Sequence, residues 1–452
     1  MRENGAPIPP DHSRPLVVES NRSRVKERYA AACIFAVTLP PVLLANLWKA
    51  RSDGYKRLVI TLFFAVYGSV MLLGIGDGFR HQMSVEHIYA YMSFPFFLEE
   101  LWRVLTFQVT ETGVKDVYKH VTGYFFGTLG MPRLFFPFIG AVYGYFFAGA
   151  LLHILRHFKL SRINYVLLGF VIALIFLRSF EGVYTVRTWT GMWILVYACL
   201  KFHEQRKLRY LLLMLVPPFI HHAYFLMAIP AWIVAAFGAR PLLYSGLFCA
   251  SIFTTFLPAD LITDPLVQTE RGATQVGAYY REEQHDQMAS FEASRQTTNF
   301  YNAYRSSGLQ RWAPTILILA LLASGIYIRY MTRYQKLVFS TGLLMLTFSN
   351  LAWFISALHN RSMIVATVLI LAGFLMARLD PKTEMHFRGL PPYYQWGLHL
   401  SLLLFVPWVM FQVSYAMDRL SLFLLAFPFI VWFDPEMNMS LKEAINALLG
   451  RG

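Results

Sequence analysis

Apolar runs of roughly 17–22 residues recur from residue 29 to residue 433, and most are separated by short basic turns. No other feature restricts the fold as strongly. A run of that length can cross the hydrocarbon core as a helix. Inside a membrane only helices and closed barrels satisfy their own backbone. No stretch alternates with period two over strand lengths, so the barrel is set aside. Candidate spans lie at 29–48, 58–75, 134–155, 163–180, 186–202, 208–220, 223–237, 242–257, 313–330, 337–355, 363–377, 396–413 and 420–433. The expected fold is therefore all-α, a polytopic membrane protein of about 12–13 segments.

Composition agrees. Only 15% of the residues are charged, whereas a soluble domain carries about 25%. The net charge is +14, from 40 Lys and Arg against 26 Asp and Glu. A strongly basic chain raises the question of nucleic acid, but here the cations sit in turns between apolar runs. The positive-inside rule accounts for them, and no nucleic-acid partner is expected. The three cysteines, Cys33, Cys199 and Cys249, stand inside apolar runs and read as buried hydrophobes.

Three regions follow: a polar, proline-bearing tail over 1–29, one membrane domain over 30–433, and a short tail over 434–452. The tail reads as disordered, not as a signal peptide. Basic turns at Lys49–Arg57, Arg156–Arg162, Lys201–Arg209, Arg240, Arg329–Lys336 and Arg378–Arg388 occupy every second connection and can all be cytoplasmic. The connections over 76–133 and 258–312, the Glu181 turn, the His221–His222 turn, 358–361 and 418–419 then face outward. This parity puts the tail outside, although it carries Arg22, Arg24, Lys26 and Arg28. Either the tail is translocated, or 30–48 is a re-entrant hairpin broken at Pro40–Pro41 and the tail is cytoplasmic.

The richest stretch is 178–230, RSFEGVYTVRTWTGMWILVYACLKFHEQRKLRYLLLMLVPPFIHHAYFLMAIP. Arg178, Glu181, Arg187, His221 and His222 all fall at the same end of neighbouring spans. Each would cost roughly 2.5–3.5 kcal/mol at membrane depth unless it faced a polar cavity or a partner. Residues 208–237 are long for one span, with Pro217–Pro218 and the histidines in the middle, so two short helices turning at the outer side are expected.

Arg187 opens a helix on the outward side, where free N–H groups and the dipole suit a phosphate. It could equally pair with Glu181 or reach to lipid headgroups. His222 can carry a proton near neutrality. Its neighbour His221 competes for that role, and either could simply close a helix end. Arg361, after His359 and Asn360, is a second anion ligand or an interfacial anchor. Asp77, Arg80, Glu86 and Tyr89 follow the second span, and Asp77 or Glu86 could act as a base toward a sugar hydroxyl. No metal-binding or nucleotide-binding motif is present: there is no HExxH, Walker motif, GxGxxG after a strand or GxSxG. No cofactor and no metal are expected.

At these residues the chain resembles the EpsG family of exopolysaccharide-synthesis proteins, related to Wzy-type polymerases. The run VRTWTG…KFHEQRKLR…PPFIHHAYFLMAIP resembles that family's arginine at a span start, basic turn, Phe-His and following proline. On that spacing Arg187 takes the family's arginine and His222 its histidine. Arg80, Glu86 and Tyr89 resemble an early motif, with Asp77 as a rival acid, although the family's Gly-x-Asp is missing. Arg361 resembles a late arginine.

The resemblance covers about residues 55–380 and implies a GT-C-like polymerase in the bacterial plasma membrane. Such an enzyme joins polyprenyl-diphosphate-linked oligosaccharides at the outer face, without a metal. Its partners would be the lipid-linked glycan, membrane lipids, and a flippase and chain-length regulator of the same pathway. The implied substrate-binding set is Arg187, Arg361, Arg80, Arg178, Tyr184 and His359, with Tyr279 and Tyr280 as stacking rings. The implied catalytic set is His222, Glu86 and Asp77. Two other functions compete: a GT-C transferase using a polyprenyl-phosphate sugar, and a glycolipid flippase or transporter, although no internal repeat of the transporter kind is visible.

Overall fold

The computed structural model describes residues 27–450 apart from 46, 48–49, 51, 74–76, 160–162, 179, 258–299, 301–303 and 305–307. Tyr279, Tyr280 and nearly all of the polar tail lie outside the described residues. The described residues are helical, and no strand occurs among them beyond an isolated antiparallel bridge between Ser421 and Ser440.

After a helix over 27–38 that breaks before Pro40, the longer helices run in order. They are α1 (Asp53–Val70), α2 (Asp77–His87), α3 (Phe94–Leu105), α4 (Val117–Thr128), α5 (Phe135–Ile154), α6 (Tyr165–Phe176) and α7 (Thr188–Gln205). Then follow α8 (Ile229–Phe237), α9 (Pro241–Thr254), α10 (Trp312–Ala323), α11 (Arg333–Leu351), α12 (Ser356–Leu379), α13 (Pro392–Arg419) and α14 (Leu441–Leu448).

Local chemistry sets the ends. Asn164 caps α6 by accepting the Leu167 N–H at 2.9 Å. Thr332 with Gln335, and Ser440 with Glu443, form capping boxes at α11 and α14.

Among the described residues, three stretches are long and apolar enough to cross a membrane: Pro132–Ile154, Ala357–Leu379 and Pro392–Arg419. They differ in surroundings. The apolar window of Ala357–Leu379 is 89% buried within the protein and that of Pro392–Arg419 only 33%. Hence α12 is the central post, packed on α11, while α13 lies at the rim against α10 with Leu400, Leu403 and Val406 exposed. On the other side α1 and α5 pack closely. A Cβ on Gly140 would lie 2.1 Å from the Phe64 carbonyl oxygen, and one on Gly68 2.3 Å from that of Phe136. Small residues here let two backbones touch, the usual device where lipid gives no hydrophobic drive between helices.

The segment 208–237 breaks as its prolines require. Helical pieces at Leu208–Leu213 and Pro217–Ile220 stop at His221, which is extended, and resume at Tyr224–Met227 and α8. Pro217 and Pro218 occupy the first turn of the second piece, where a missing N–H costs nothing.

Two expectations need correction. The apolar run over 420–433 forms no span: it holds a 3₁₀ turn at Leu422–Leu424 and a single turn at Ile430–Phe433. The preceding helix α13 runs 28 residues to Arg419, and Ser421 then bonds Asn438 and bridges to Ser440. The chain doubles back instead of continuing. Cys33 is exposed, against the expected burial; Cys199 is buried and Cys249 half-buried.

Candidate functional site

The connection between α3 and α4 is shaped by a buried carboxylate. Glu100, on α3, accepts the N–H of Thr112 at 3.0 Å, that of Glu111 at 3.2 Å and the Thr112 hydroxyl at 2.6 Å. Burial alone would raise its pKa. The hydrogen bonds from Thr112 and Glu111 and the charge of Arg103 outweigh burial and lower it. This clamp fixes the loop that delivers Asp116 to the N-cap position of α4.

Asp116 does not cap its helix. Its side chain is turned away and buried, and it gathers groups from distant parts of the chain. Arg187 donates from Nη1 to Oδ2. His221 approaches Oδ1 through Nδ1 at 3.0 Å. His222 approaches Oδ1 through its backbone N–H at 2.8 Å and through Nδ1 at 3.2 Å. Burial by itself would raise the Asp116 carboxyl. The hydrogen bonds from His221 and His222 and the Arg187 charge overcome it and hold the group well below the usual carboxylate range.

The donors settle the histidine tautomers. On the far side of His221, Arg361 Nη1 lies 3.1 Å from Nε2. A guanidinium can only donate, so His221 Nε2 accepts and Nδ1 carries the proton given to Asp116. The result is a relay Arg187–Asp116–His221–Arg361 that joins α7, the loop before α4, the broken hairpin and α12. His221 is locked within it and 2% exposed. His222 differs. An ionised Asp116 is acceptor only, so His222 Nδ1 donates to it and Nε2 is the ring nitrogen left over. That nitrogen has no partner among the described residues, and the side chain is 36% exposed. Asp116 and His222 thus form a dyad with its basic nitrogen open.

Arg187 is placed by its backbone. Val186 before it lies in the left-handed region at φ 59°, unusual for a β-branched residue. The turn this creates sets Arg187 at the N-cap of α7.

Asp116, His221 and His222 each place a ligand atom within 4.8 Å of the others. Two guanidinium groups bond to this same set, and both would oppose a divalent charge. The arrangement is better satisfied as a hydrogen-bonded relay.

The other candidates fall at varying distances from this centre. Arg187, His222 and Arg361 are brought together, and Arg187 pairs with Asp116; the Glu181 side chain lies outside the described residues. Asp77 and Arg80 pair with each other at 2.5 Å on the exposed start of α2. Glu86 accepts from Gln82 at 2.7 Å, and neither acid bonds His222 or Arg187. Arg178 donates to Gln412 at 3.3 Å and faces the Trp189 ring. Tyr184 lies under Arg419, 4.7 Å from its guanidinium carbon. His359 bonds the Ser349 carbonyl at 2.9 Å and so ties α12 to α11. Sequence reasoning missed Asp116 altogether. Its one signal was an aspartate opening an apolar helical run, which reads as an ordinary N-cap.

Compared with family models, with curated proteins and with solved structures, the chain matches none.

Proposed function

We propose that the protein is a polytopic, GT-C-like polymerase of the bacterial plasma membrane. It transfers a polyprenyl-diphosphate-linked glycan onto a second lipid-linked oligosaccharide at the outer face. The observation that carries this reading is the Asp116–His222 dyad, with an open basic nitrogen, set between the cations Arg187 and Arg361. The motif resemblance around 186–230 supports it independently.

In this reading His222 Nε2 takes the proton of the acceptor hydroxyl as its oxygen bonds to the anomeric carbon of the donor. The carbon–oxygen bond to the diphosphate breaks, and the polyprenyl diphosphate leaves with the bonding pair. Asp116 holds the imidazolium through Nδ1, as a carboxylate does in other base-assisted transfers. The cations stabilise charge where it develops. The sequence offered Asp77 and Glu86 as bases toward the hydroxyl; in this reading His222 takes that part and Asp116 supports it.

The test is polymer length in cells that make the glycan, with the lipid-linked pool measured alongside. His222→Gln keeps hydrogen bonding but cannot titrate, so single repeat units accumulate and polymer disappears. His221→Gln is milder in turnover, since His221 passes no proton. Equal, mild defects in both variants would defeat the reading. Units trapped on the inner side of the membrane would instead indicate a flippase.

A further inference from the structure

The first turn of α4 is unusual for what it leaves unused. Its N-cap residue, Asp116, makes no capping bond, so the opening N–H groups of this 12-residue helix find no side-chain acceptor among the described residues. Helix α2 packs against α4. From α2 comes His81, 4% exposed, with neither ring nitrogen hydrogen-bonded. A buried polar ring without partners is rare, and here it lies within electrostatic reach of Lys119, Arg187, Arg80 and Asp116. Lys119, in the first turn of α4, makes no ion pair or hydrogen bond among the described residues. Arg187 spends Nη1 on Asp116, while its Nε is buried and unpartnered. Three cations, Lys119, Arg187 and Arg80, thus surround the turn against two carboxylates, Asp116 and Asp77.

We propose that the first turn of α4, Lys119, His81 and the unshared Arg187 N–H groups together seat one phosphate of a diphosphate, at the leaving-group side of the dyad. Donors are offered by three elements, α2, α4 and the start of α7, and such a set suits a tetrahedral group with several oxygens better than a flat carboxylate. The assignment to the leaving group rests on the polymerase reading; the seat itself does not. Burial, and then the cations around it, keep His81 neutral, lowered to about 2, so it contributes an N–H and no charge. Burial and Arg187 lower Lys119 to about 8. The groups facing Lys119 are Asp77, Arg80 and His81 from α2, Arg187 from the start of α7, and Asp116 of its own turn. An anion would raise Lys119 again, so binding weakens as pH rises from 7 to 9.

The probe is inorganic pyrophosphate, titrated into the purified full-length protein in detergent at pH 7 and pH 9. Lys119→Gln should weaken binding at pH 7 about tenfold, the loss expected for a charged hydrogen bond. Lys119→Arg should keep binding and lose most of the pH dependence. His81→Leu removes a buried unpartnered ring. It should raise the thermal midpoint without ligand and still weaken pyrophosphate. Wild-type affinity in both Lys119→Gln and His81→Leu overturns the seat. His222→Gln should bind pyrophosphate normally. If it also makes polymer of normal length, the polymerase reading fails while the seat stands.

Discussion

Asp116 concentrates the energetics of the site in one side chain. It is buried, ionised and held by four hydrogen bonds from three residues. Asp116→Asn keeps the shape but removes the charge that Arg187 and two histidines were arranged around. Removing one partner of a buried pair costs about 3–5 kcal/mol. We expect a loss of that order in the unfolding free energy, measured in detergent or bicelles, together with loss of polymer. A change under about 1 kcal/mol, the range of an exposed ion pair, would mean that the pair is solvated and not central. Arg187→Lys keeps the charge but not the planar fork, so polymer should return only in part.

Among the helices, the connection from α3 to α4 has the most specific support. The bonds Glu100 accepts from Thr112 and Glu111 are strongest while it is ionised. Its folded pKa lies below its ordinary value of 4.5. The stability it gives is therefore complete above that value and lost as pH falls through the folded one. Glu100→Gln should lower the thermal midpoint at pH 7, by about 1–3 kcal/mol in stability. The gap to wild type should begin to narrow below the ordinary carboxyl value and close as pH falls through the depressed folded one. A gap that persists in acid would assign the loss to packing. The pairing of α1 and α5 is tested by Gly140→Ala. The added Cβ meets the Phe64 carbonyl oxygen, and a cost of about 1–3 kcal/mol is expected. At this scale the sequence was most readable. Apolar runs must become helices in lipid, and Pro217–Pro218 had to break theirs. The run over 420–433 misled because hydropathy does not register Ser421 turning the chain back toward Asn438.

For the whole molecule, hydropathy and turn charges can describe an arrangement of spans, but not which ends converge. Arg187, His222 and Arg361 were legible because a cation or histidine at the edge of an apolar run stands out. Asp116 was not, since its meaning depends on partners 71 and 105 residues away. Orientation is tested on single cysteines in a background with Cys33, Cys199 and Cys249 all replaced by Ser. Val109 is 92% exposed in the loop that carries Asp116, and Lys207 is exposed in the basic turn after α7. An impermeant thiol reagent on intact cells should label Val109→Cys and spare Lys207→Cys. The reverse pattern would put the dyad on the inner side and end the proposed topology.

The order in which the relay's members leave the ribosome matters too. Asp116 is made first, then Arg187, then His221, and Arg361 far later. Synthesis at roughly 5–20 residues per second leaves tens of seconds between the first and the last. During that interval the broken hairpin has its carboxylate but not the guanidinium that fixes His221 from behind. The centre of the protein is therefore fastened by one of its late arrivals. A chain interrupted before α12 would lack that guanidinium and leave this polar corner unfastened.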